Sequence, residues 1–139
     1  MRKNFQGMIL LVAMLLASVA LAASAEKDGT WISRVPEKAR LRQNPLASDP
    51  NAVAAGGKLY RQNCAKCHGP EGKGDGPDSD HAADLTDEFR ADLNPEGVLY
   101  YKIWNGHTTD MPAFKSKLTK DEVWSLVEYL KTLRTPAKP

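Results

Sequence analysis

The sequence predicts an all-α protein built from three to five helices. Three segments carry apolar residues at intervals of three and four positions, and each begins at recognisable capping residues. No segment has the βαβ pattern that indicates a parallel sheet. At 139 residues, the chain is expected to form one domain.

The first helix is expected to begin at Asp49-Pro50, with aspartate as the N-cap and proline at the first helical position. Val53, Tyr60 and Cys64 then recur at helical spacing on one face. The pair Gly56-Gly57 lowers the helix propensity of this segment. Because glycine lets another backbone approach closely, the pair is a candidate crossing point for a second helix.

The second helix is expected to start at Leu93-Asn94-Pro95-Glu96, with Asn94 as its cap and Pro95 as its first residue. It ends at Asn105-Gly106. The segment between these signals is apolar on all sides, which predicts burial on more than one face.

The third helix has a capping box from Thr119 to Glu122 and is stopped by Pro136. Its apolar face repeats at helical spacing. We expect this helix to cross the first one and close the fold. The residues of this face are Val123, Leu126, Val127, Leu130 and Leu133.

Residues 1–25 have the features of a secretory signal peptide. Arg2 and Lys3 precede an apolar run over residues 8–23, and Ala23-Ser24-Ala25 fits the small-residue cleavage pattern. The run is shorter than the roughly 20 residues of a membrane-spanning helix, which favours cleavage over retention as an anchor. The mature protein is therefore predicted to be periplasmic or otherwise exported, with no stable membrane span. It would be membrane-anchored if the leader were retained.

The charge balance argues against nucleic acid as a partner. The formal net charge of +2 comes from Arg2 and Lys3, because residues 1–25 contain no acidic residue. The remaining chain has equal numbers of basic and acidic residues, whereas a nucleic-acid-binding domain needs a surplus of positive charge.

Residues 26–48 are predicted to be an N-terminal extension that packs onto a domain of residues 49–139. The extension is polar and loosely patterned, with a helical turn expected at Glu37–Arg42. It also contains Trp31, whose large apolar surface favours packing over exposure to water. A disordered linker is the alternative.

The candidate functional centre is Cys64-Ala65-Lys66-Cys67-His68, a C-x-x-C-H sequence typical of covalent haem attachment. On a helix, residues three and four apart share one face, so both thiols and the imidazole meet the same group. A redox dithiol and half of a zinc site are the alternatives. A zinc site of this type needs a second pair of ligands, and the chain has only two cysteines. The dithiol alternative calls for a βαβ context.

His68 of this motif is expected to be the proximal iron ligand. A ligating histidine usually donates its other ring N–H to an oxygen, and the Pro77 carbonyl is the candidate acceptor. The isolated His81 lies in a polar stretch and is expected to be exposed to solvent rather than bound to iron.

Met111 is the candidate for the second axial ligand. The other three methionines lie in the leader, and Pro112 biases Met111 toward an extended backbone in a loop. His107, four positions earlier on the same loop, is the rival ligand. Ordinary packing of Met111 is a further alternative.

Several motifs resemble those of class I bacterial cytochromes c, monohaem proteins with histidine and methionine ligands. These motifs are C-A-K-C-H-G, G-K-G-D-G-P, A-D-L-T, I-W-N-G followed by M-P-A-F, and the terminal E-Y-L-K-T-L. The likeness covers Asn51 to Leu133. It implies the cytochrome c fold, with helices around one haem c bound to Cys64 and Cys67. It also implies His68 as the proximal ligand and Met111 as the distal ligand.

With both axial positions filled, the expected function is single-electron transfer between a redox protein donor and an acceptor, without catalysis. The chain would be a free shuttle or the cytochrome subunit of an oxidoreductase complex. A structural or docking subunit whose haem only relays electrons is a further possibility. The alternative is a haem enzyme or ligand-binding sensor in which the distal ligand is displaceable.

Overall fold

The structure, a computed structural model, describes residues 34–107 and 110–134. The predicted leader and Trp31 lie outside these residues. From Val35 onward the described residues belong to one compact unit, Val35–Pro139; the other unit, Met1–Arg34, is described only at Arg34. The described part contains six helices: α1 Glu37–Arg40, α2 Pro50–Asn63, α3 Ala65–His68, α4 Glu88–Asp92, α5 Glu96–Asn105 and α6 Lys120–Leu133.

The all-α prediction is confirmed for these residues. The three predicted helices are α2, α5 and α6, and the other three are segments of four or five residues. The only β-pairing in the described part is an isolated bridge between His107 and Met111. No helix in the described ranges has the length and apolar character needed to cross a membrane.

Helix α2 begins as its sequence predicts. The Asp49 carboxylate accepts a hydrogen bond of 2.8 Å from the Asn51 N–H, and Pro50 is the first helical residue. At the other end, the Cys64 N–H donates to the Tyr60 carbonyl at 2.8 Å. Cys64 therefore continues the turn of α2 and is also the cap of α3, so the cysteine motif follows the helix without a loop.

Helix α6 supplies much of the hydrophobic core. Its capping box is present in both directions, since the Glu122 N–H donates to the Thr119 hydroxyl and the Glu122 carboxylate accepts from the Thr119 N–H. The predicted apolar face is buried from Val123 to Leu130, and Leu133 is half-buried. Trp124 is buried as well.

The two long helices cross at the predicted glycine. A Cβ atom on Gly56 would overlap the Ser125 carbonyl oxygen and lie 2.6 Å from the carbonyl carbon. Only glycine lets the two backbones approach this closely. Beside the crossing, the Tyr60 and Tyr129 rings pack at 5.2 Å between centroids.

The predicted start of α5 is wrong by one residue. Pro95 is the residue before the helix, and its carbonyl accepts from the Val98 and Leu99 N–H groups. Asn94 does not cap α5, because its side-chain amide donates to the Arg90 carbonyl of the preceding helix.

The described part of the predicted extension, residues 35–48, packs on the domain. The predicted turn at Glu37–Arg42 is α1, which ends at Arg40. Val35 is buried. A Cβ atom on Gly97 of α5 would overlap the Ala39 carbonyl oxygen, so this glycine lets the extension lie directly against α5.

A buried polar network holds the extension in place, and the sequence reading missed it. The Asn44 side-chain amide donates to the Trp124 carbonyl at 3.0 Å and to the Glu128 carboxylate at 2.9 Å, while its backbone N–H donates to Glu96 at 3.0 Å. Lys131 donates to both carboxylates. The network therefore joins the extension to the start of α5 and the middle of α6.

The ion pairs of this network shift two pKa values. Burial opposes ionisation of Glu96, but hydrogen bonds from Lys131 and from the Asn44 backbone outweigh burial and hold the pKa of the carboxyl below its usual value. Burial also opposes the charge on Lys131, but hydrogen bonds to Glu96 and Glu128 outweigh it and raise the pKa of the ammonium group.

Candidate haem site

The cysteine motif folds as the short helix α3, which places Cys64, Cys67 and His68 on one turn. The Cys64 carbonyl accepts from the Cys67 N–H at 3.1 Å and from the His68 N–H at 2.9 Å. Both thiols are half-buried and are not joined in a disulfide. The two cysteines and the histidine therefore lie on one turn, where they could contact the same planar group.

The Cys64 thiol lies in apolar surroundings. Burial raises its pKa to about 12, with a further increase from Cys67 that outweighs the opposing effect of Lys117. Cys64 packs against the same hydrophobic core cluster as Tyr60, Leu99 and Met111. This environment suits an apolar group joined through uncharged thioether sulfurs, rather than a metal ion that needs thiolates.

The predicted acceptor for His68 is wrong. His68 Nδ1 lies 3.0 Å from the Ala83 carbonyl oxygen, not from that of Pro77. Pro77 is exposed, and the loop around it is bonded elsewhere: the Gly76 N–H donates to the Cys67 carbonyl. Gly74, at φ +79°, lets residues 82–84 approach closely enough for the Ala83 carbonyl to reach the ring.

The hydrogen bond from Nδ1 to the Ala83 carbonyl commits one nitrogen of the His68 ring. A carbonyl oxygen can only accept, so Nδ1 carries a proton and is not the nitrogen that binds a metal. The bond also fixes the ring orientation, as is usual for metal-ligating histidines. Nε2 is therefore the ring nitrogen available to iron.

The loop that carries Met111 is fastened at both ends. Met111 and His107 exchange backbone hydrogen bonds of 3.2 and 2.9 Å, directly after Gly106 at φ +81°. The Phe114 N–H then donates to the Ile103 carbonyl at 3.0 Å. Met111 is half-buried against the core cluster that also contacts Cys64.

The two histidines outside the cysteine motif differ in their surroundings. His81 is exposed, as expected. His107 is half-buried, and burial, with a smaller contribution from the charge of Lys102, lowers its pKa. The backbone bridge pairs His107 with Met111. The two candidates for the second iron ligand therefore lie opposite each other in the chain.

Two residues that hold the His68 segment in place were not predicted from the sequence. Ala83 acts through its backbone carbonyl, so its side chain gives no signal, although it begins the A-D-L-T motif. The buried Tyr60 hydroxyl donates to the Gly69 carbonyl at 2.7 Å and fixes the turn directly after His68. Burial, followed by the charge of Cys64, raises the pKa of this hydroxyl. The sequence pattern indicates only that Tyr60 belongs to the apolar face of α2.

The residues present fit a covalently bound haem. The residues that could hold it are the two free thiols, the His68 imidazole with one nitrogen committed to a carbonyl, and the Met111 thioether. Together with the all-α fold, this set defines a c-type cytochrome. A family model described as cytochrome c oxidase, cbb3-type, subunit III matches residues 51–130, more than half of the sequence, and the chain belongs to this family.

Curated relatives include proteins of very different lengths. Cytochrome c550 of Pseudomonas aeruginosa is 28% identical, with 96% of this chain and 97% of that protein covered. The cbb3-type cytochrome c oxidase subunit CcoP of Rubrivivax gelatinosus is 29% identical over 79% of this chain, but this chain spans only 36% of that subunit. The corresponding subunit FixP of Bradyrhizobium sp. strain ORS 278 is 34% identical over 58% of this chain and 27% of the subunit.

Solved structures show the same fold. The KustC0563 c-type cytochrome has a TM-score of 0.52 and 29% identity, covering 58% of this chain and 98% of that one. A chain of the Kuenenia stuttgartiensis reducing HAO-like protein complex Kustc0457/Kustc0458 has a TM-score of 0.58 and 31% identity, covering 66% of this chain and 47% of that one. The protein is therefore a c-type cytochrome, and its family implies haem c.

Proposed function

We propose that this chain is an exported monohaem cytochrome that carries single electrons between redox proteins and catalyses no reaction itself. Cys64 and Cys67 hold the haem through thioether bonds, His68 is its proximal ligand and Met111 its distal ligand. The bound haem supplies reversible one-electron exchange at its iron. The protein supplies attachment, fixed ligands and exclusion of water.

The hydrogen bond between His68 Nδ1 and the Ala83 carbonyl is the observation that carries this proposal. It fixes the ring orientation and leaves Nε2 as the ring nitrogen for iron, on the same turn as two free thiols. A redox dithiol has no need of a histidine oriented in this way, and a zinc site of this type needs a second pair of ligands. The bond also makes the imidazole a better electron donor to a bound iron, which tunes its potential.

Met111 supports the closed, carrier type of site. The His107 bridge and the bond from the Phe114 N–H to α5 hold the backbone on both sides of the Met111 side chain, which supports this residue as a ligand. A thioether paired with an imidazole favours ferrous iron and raises the reduction potential. Two fixed axial ligands also leave no position for a substrate at the metal.

The sequence supports one haem, because each covalent haem consumes two thiols and the chain has two cysteines. The predicted leader supports export, which places haem attachment and function in the periplasm or outside the cell. Retention of the leader would leave the domain anchored to the membrane. Redox proteins are the expected partners, as for the oxidase subunits among its relatives.

Haem content tests the first part of the proposal. The full chain, expressed with the haem attachment machinery of a periplasm, should keep its colour in acidified organic solvent. Intact-mass analysis should show one haem per chain. The Cys64→Ala variant should lose part or all of this covalent pigment. A colourless protein, or one that releases all of its pigment into the solvent, would falsify the proposal.

Carbon monoxide binding separates an electron carrier from a haem enzyme or sensor. Reduced wild-type protein at neutral pH should not bind carbon monoxide, whereas Met111→Ala should bind it. His107→Ala is the matched control on the same loop and should behave as wild type. Binding of carbon monoxide to the wild-type protein would support the alternative with a displaceable distal ligand. Binding by His107→Ala but not by Met111→Ala would make His107 the distal ligand.

A further inference from the structure

An open groove lies between α1 and α5. Lys38 and Arg42 lie on one side, and Tyr100, Tyr101, Trp104 and Asn105 lie on the other. Its volume is about 450 Å³. None of Cys64, Cys67, His68 and Met111 lines it, so the electron-transfer site does not account for it.

The groove is built from rigid parts. The Arg42 guanidinium lies 4.7 Å from the centroid of the Tyr100 ring and 5.7 Å from that of Trp124. Tyr100 in turn stacks on Trp104, with ring centroids 5.8 Å apart and planes 16° apart. Stacked aromatic rings under a guanidinium have few alternative rotamers. The Tyr100 and Trp104 rings are therefore held in one arrangement before any partner binds.

The side of the groove formed by residues 36–42, here called the extension wall, is also held in place by contacts with the domain. The Asn44 backbone N–H donates to Glu96 at 3.0 Å, and its buried side chain bonds to Trp124 and Glu128 of α6. Gly97 receives the backbone of residues 39–42 at a distance that no other residue allows. A surface held in this way loses little conformational entropy when a partner binds, and low entropy loss favours affinity.

The charge on this wall is positive. Residues 35–42 contain three basic residues and one acidic residue, Glu37. Lys38 and Arg42 are both exposed and lie four positions apart, and neither is in an ion pair with a residue of the described ranges. A guanidinium stacked on an aromatic ring keeps its N–H donors in its own plane, where they can meet a carboxylate.

Apolar surface adjoins these charges. Leu41, between Arg40 and Arg42, is 71% exposed. Tyr101 and Trp104 add half-buried aromatic surface to the groove. Cations and aromatic rings around a central groove are the usual composition of the energetically important part of a protein interface.

We propose that the groove between α1 and α5 is a docking site for an acidic segment of a partner protein that also carries an apolar side chain. The carboxylates pair with Lys38 and Arg42, and the apolar side chain packs against Tyr101 and Trp104. Charge complementarity selects this occupant, because the lining residues include two cations and no acid. The proposal goes beyond electron transfer, since it assigns partner binding to a face that carries none of the proposed haem ligands.

Nuclear magnetic resonance titration of the haem-loaded, reduced protein tests this proposal. The probe is a short capped peptide of aspartate and leucine, and a peptide of asparagine and leucine is the uncharged control. The acidic peptide should shift the signals of Tyr101, Trp104 and residues 38–42, and added salt should weaken its binding. The uncharged peptide should bind more weakly.

Charge reversal supplies the matched variants. The double variant Lys38→Glu with Arg42→Glu should weaken binding of the acidic peptide about tenfold or more. Tenfold corresponds to about 1.4 kcal/mol of binding free energy, which loss of two charge-assisted contacts can account for. The control is Lys58→Glu with Arg61→Glu, which makes the same charge change on exposed positions of α2 and should leave binding within about twofold of wild type. The visible spectrum should be unchanged in both.

Three results would overturn the docking proposal: no binding of the acidic peptide, equal binding of both peptides, or shifts that cluster away from the groove. Equal weakening by the two double variants would also overturn it, because it would indicate general charge attraction. If loss of Arg42 prevents folding, Lys38→Glu alone and Tyr101→Ala replace the double variant. Each should then weaken binding without changing the spectrum, and wild-type affinity in both would refute the proposal.

Discussion

The crossing of α2 and α6 at Gly56 gives a sharp test of the fold. In Gly56→Ala the new Cβ would overlap the Ser125 carbonyl oxygen and lie 2.6 Å from the carbonyl carbon and 2.8 Å from the Tyr129 Cβ. Two of these atoms belong to the backbone of α6 and cannot rotate away. The clash can be relieved only if the helices move apart.

The expected loss follows from two opposing effects. Overpacking of a closed contact costs about 3 kcal/mol when backbone must shift, and the better helix propensity of alanine returns about 1 kcal/mol. Gly56→Ala should therefore lower the free energy of unfolding by about 2 kcal/mol. For a domain of this size, that loss lowers the melting temperature by about 8 °C.

Gly57→Ala is the matched control on the next residue. Its Cβ would lie 3.0 Å from Cε2 of the Tyr129 ring, a side chain that can shift by a few tenths of an ångström. The gain in helix propensity then offsets the strain, and stability should stay within about 1 kcal/mol of wild type. Circular dichroism melting of the haem-loaded proteins measures both. Equal stability of Gly56→Ala and wild type, or a larger loss in Gly57→Ala, would refute the crossing described here.

The buried polar network yields two further predictions. Asn44→Ala leaves the Glu128 carboxylate and the Trp124 carbonyl without their amide donor, so the free energy of unfolding should fall by about 2 kcal/mol or more. In guanidinium titrations the midpoint should move with an unchanged slope, and a midpoint equal to that of wild type would contradict the role given to this amide. The pH dependence follows from the lowered pKa of Glu96 and the raised pKa of Lys131. The Glu96 contribution should be present above about pH 4.5 and lost as the pH falls below it. The Lys131 contribution should be present below about pH 10.5 and lost as the pH rises past it. Melting temperatures across pH measure both, and Glu96→Gln should reduce the fall in stability on the acid side. An acid limb identical to that of wild type would show that Glu96 has no part in it.

Local signals in the sequence were sufficient for the two long helices. The Asp49 cap and the Thr119–Glu122 capping box depend on residues within three positions, and both form as predicted. The crossing at Gly56 was also predictable, because a glycine in a helix face that leads into a functional motif has few other uses. The start of α5 was misjudged because Asn94 has a competing acceptor on α4, a helix that the sequence reading did not identify.

The long-range polar contacts could not be predicted. Asn44 reaches Glu128 across 84 positions, and an isolated asparagine in a polar stretch gives no sign of such a partner. The acceptor for His68 was misplaced for a related reason. Any carbonyl of the loop could have served, and only the folded path of residues 74–83 brings that of Ala83 under the ring. Sequence reasoning identified the reactive side chains and left the backbone groups that orient them undetermined.

The absorption spectrum of the ferric protein tests the axial ligation most directly. Wild-type protein should be low-spin and show the weak long-wavelength band that arises from charge transfer between a thioether and iron. Met111→Ala should lose this band and His107→Ala should keep it. A wild-type spectrum that lacks the band at neutral pH, or a Met111→Ala spectrum that retains it, would contradict the ligation of iron by His68 and Met111.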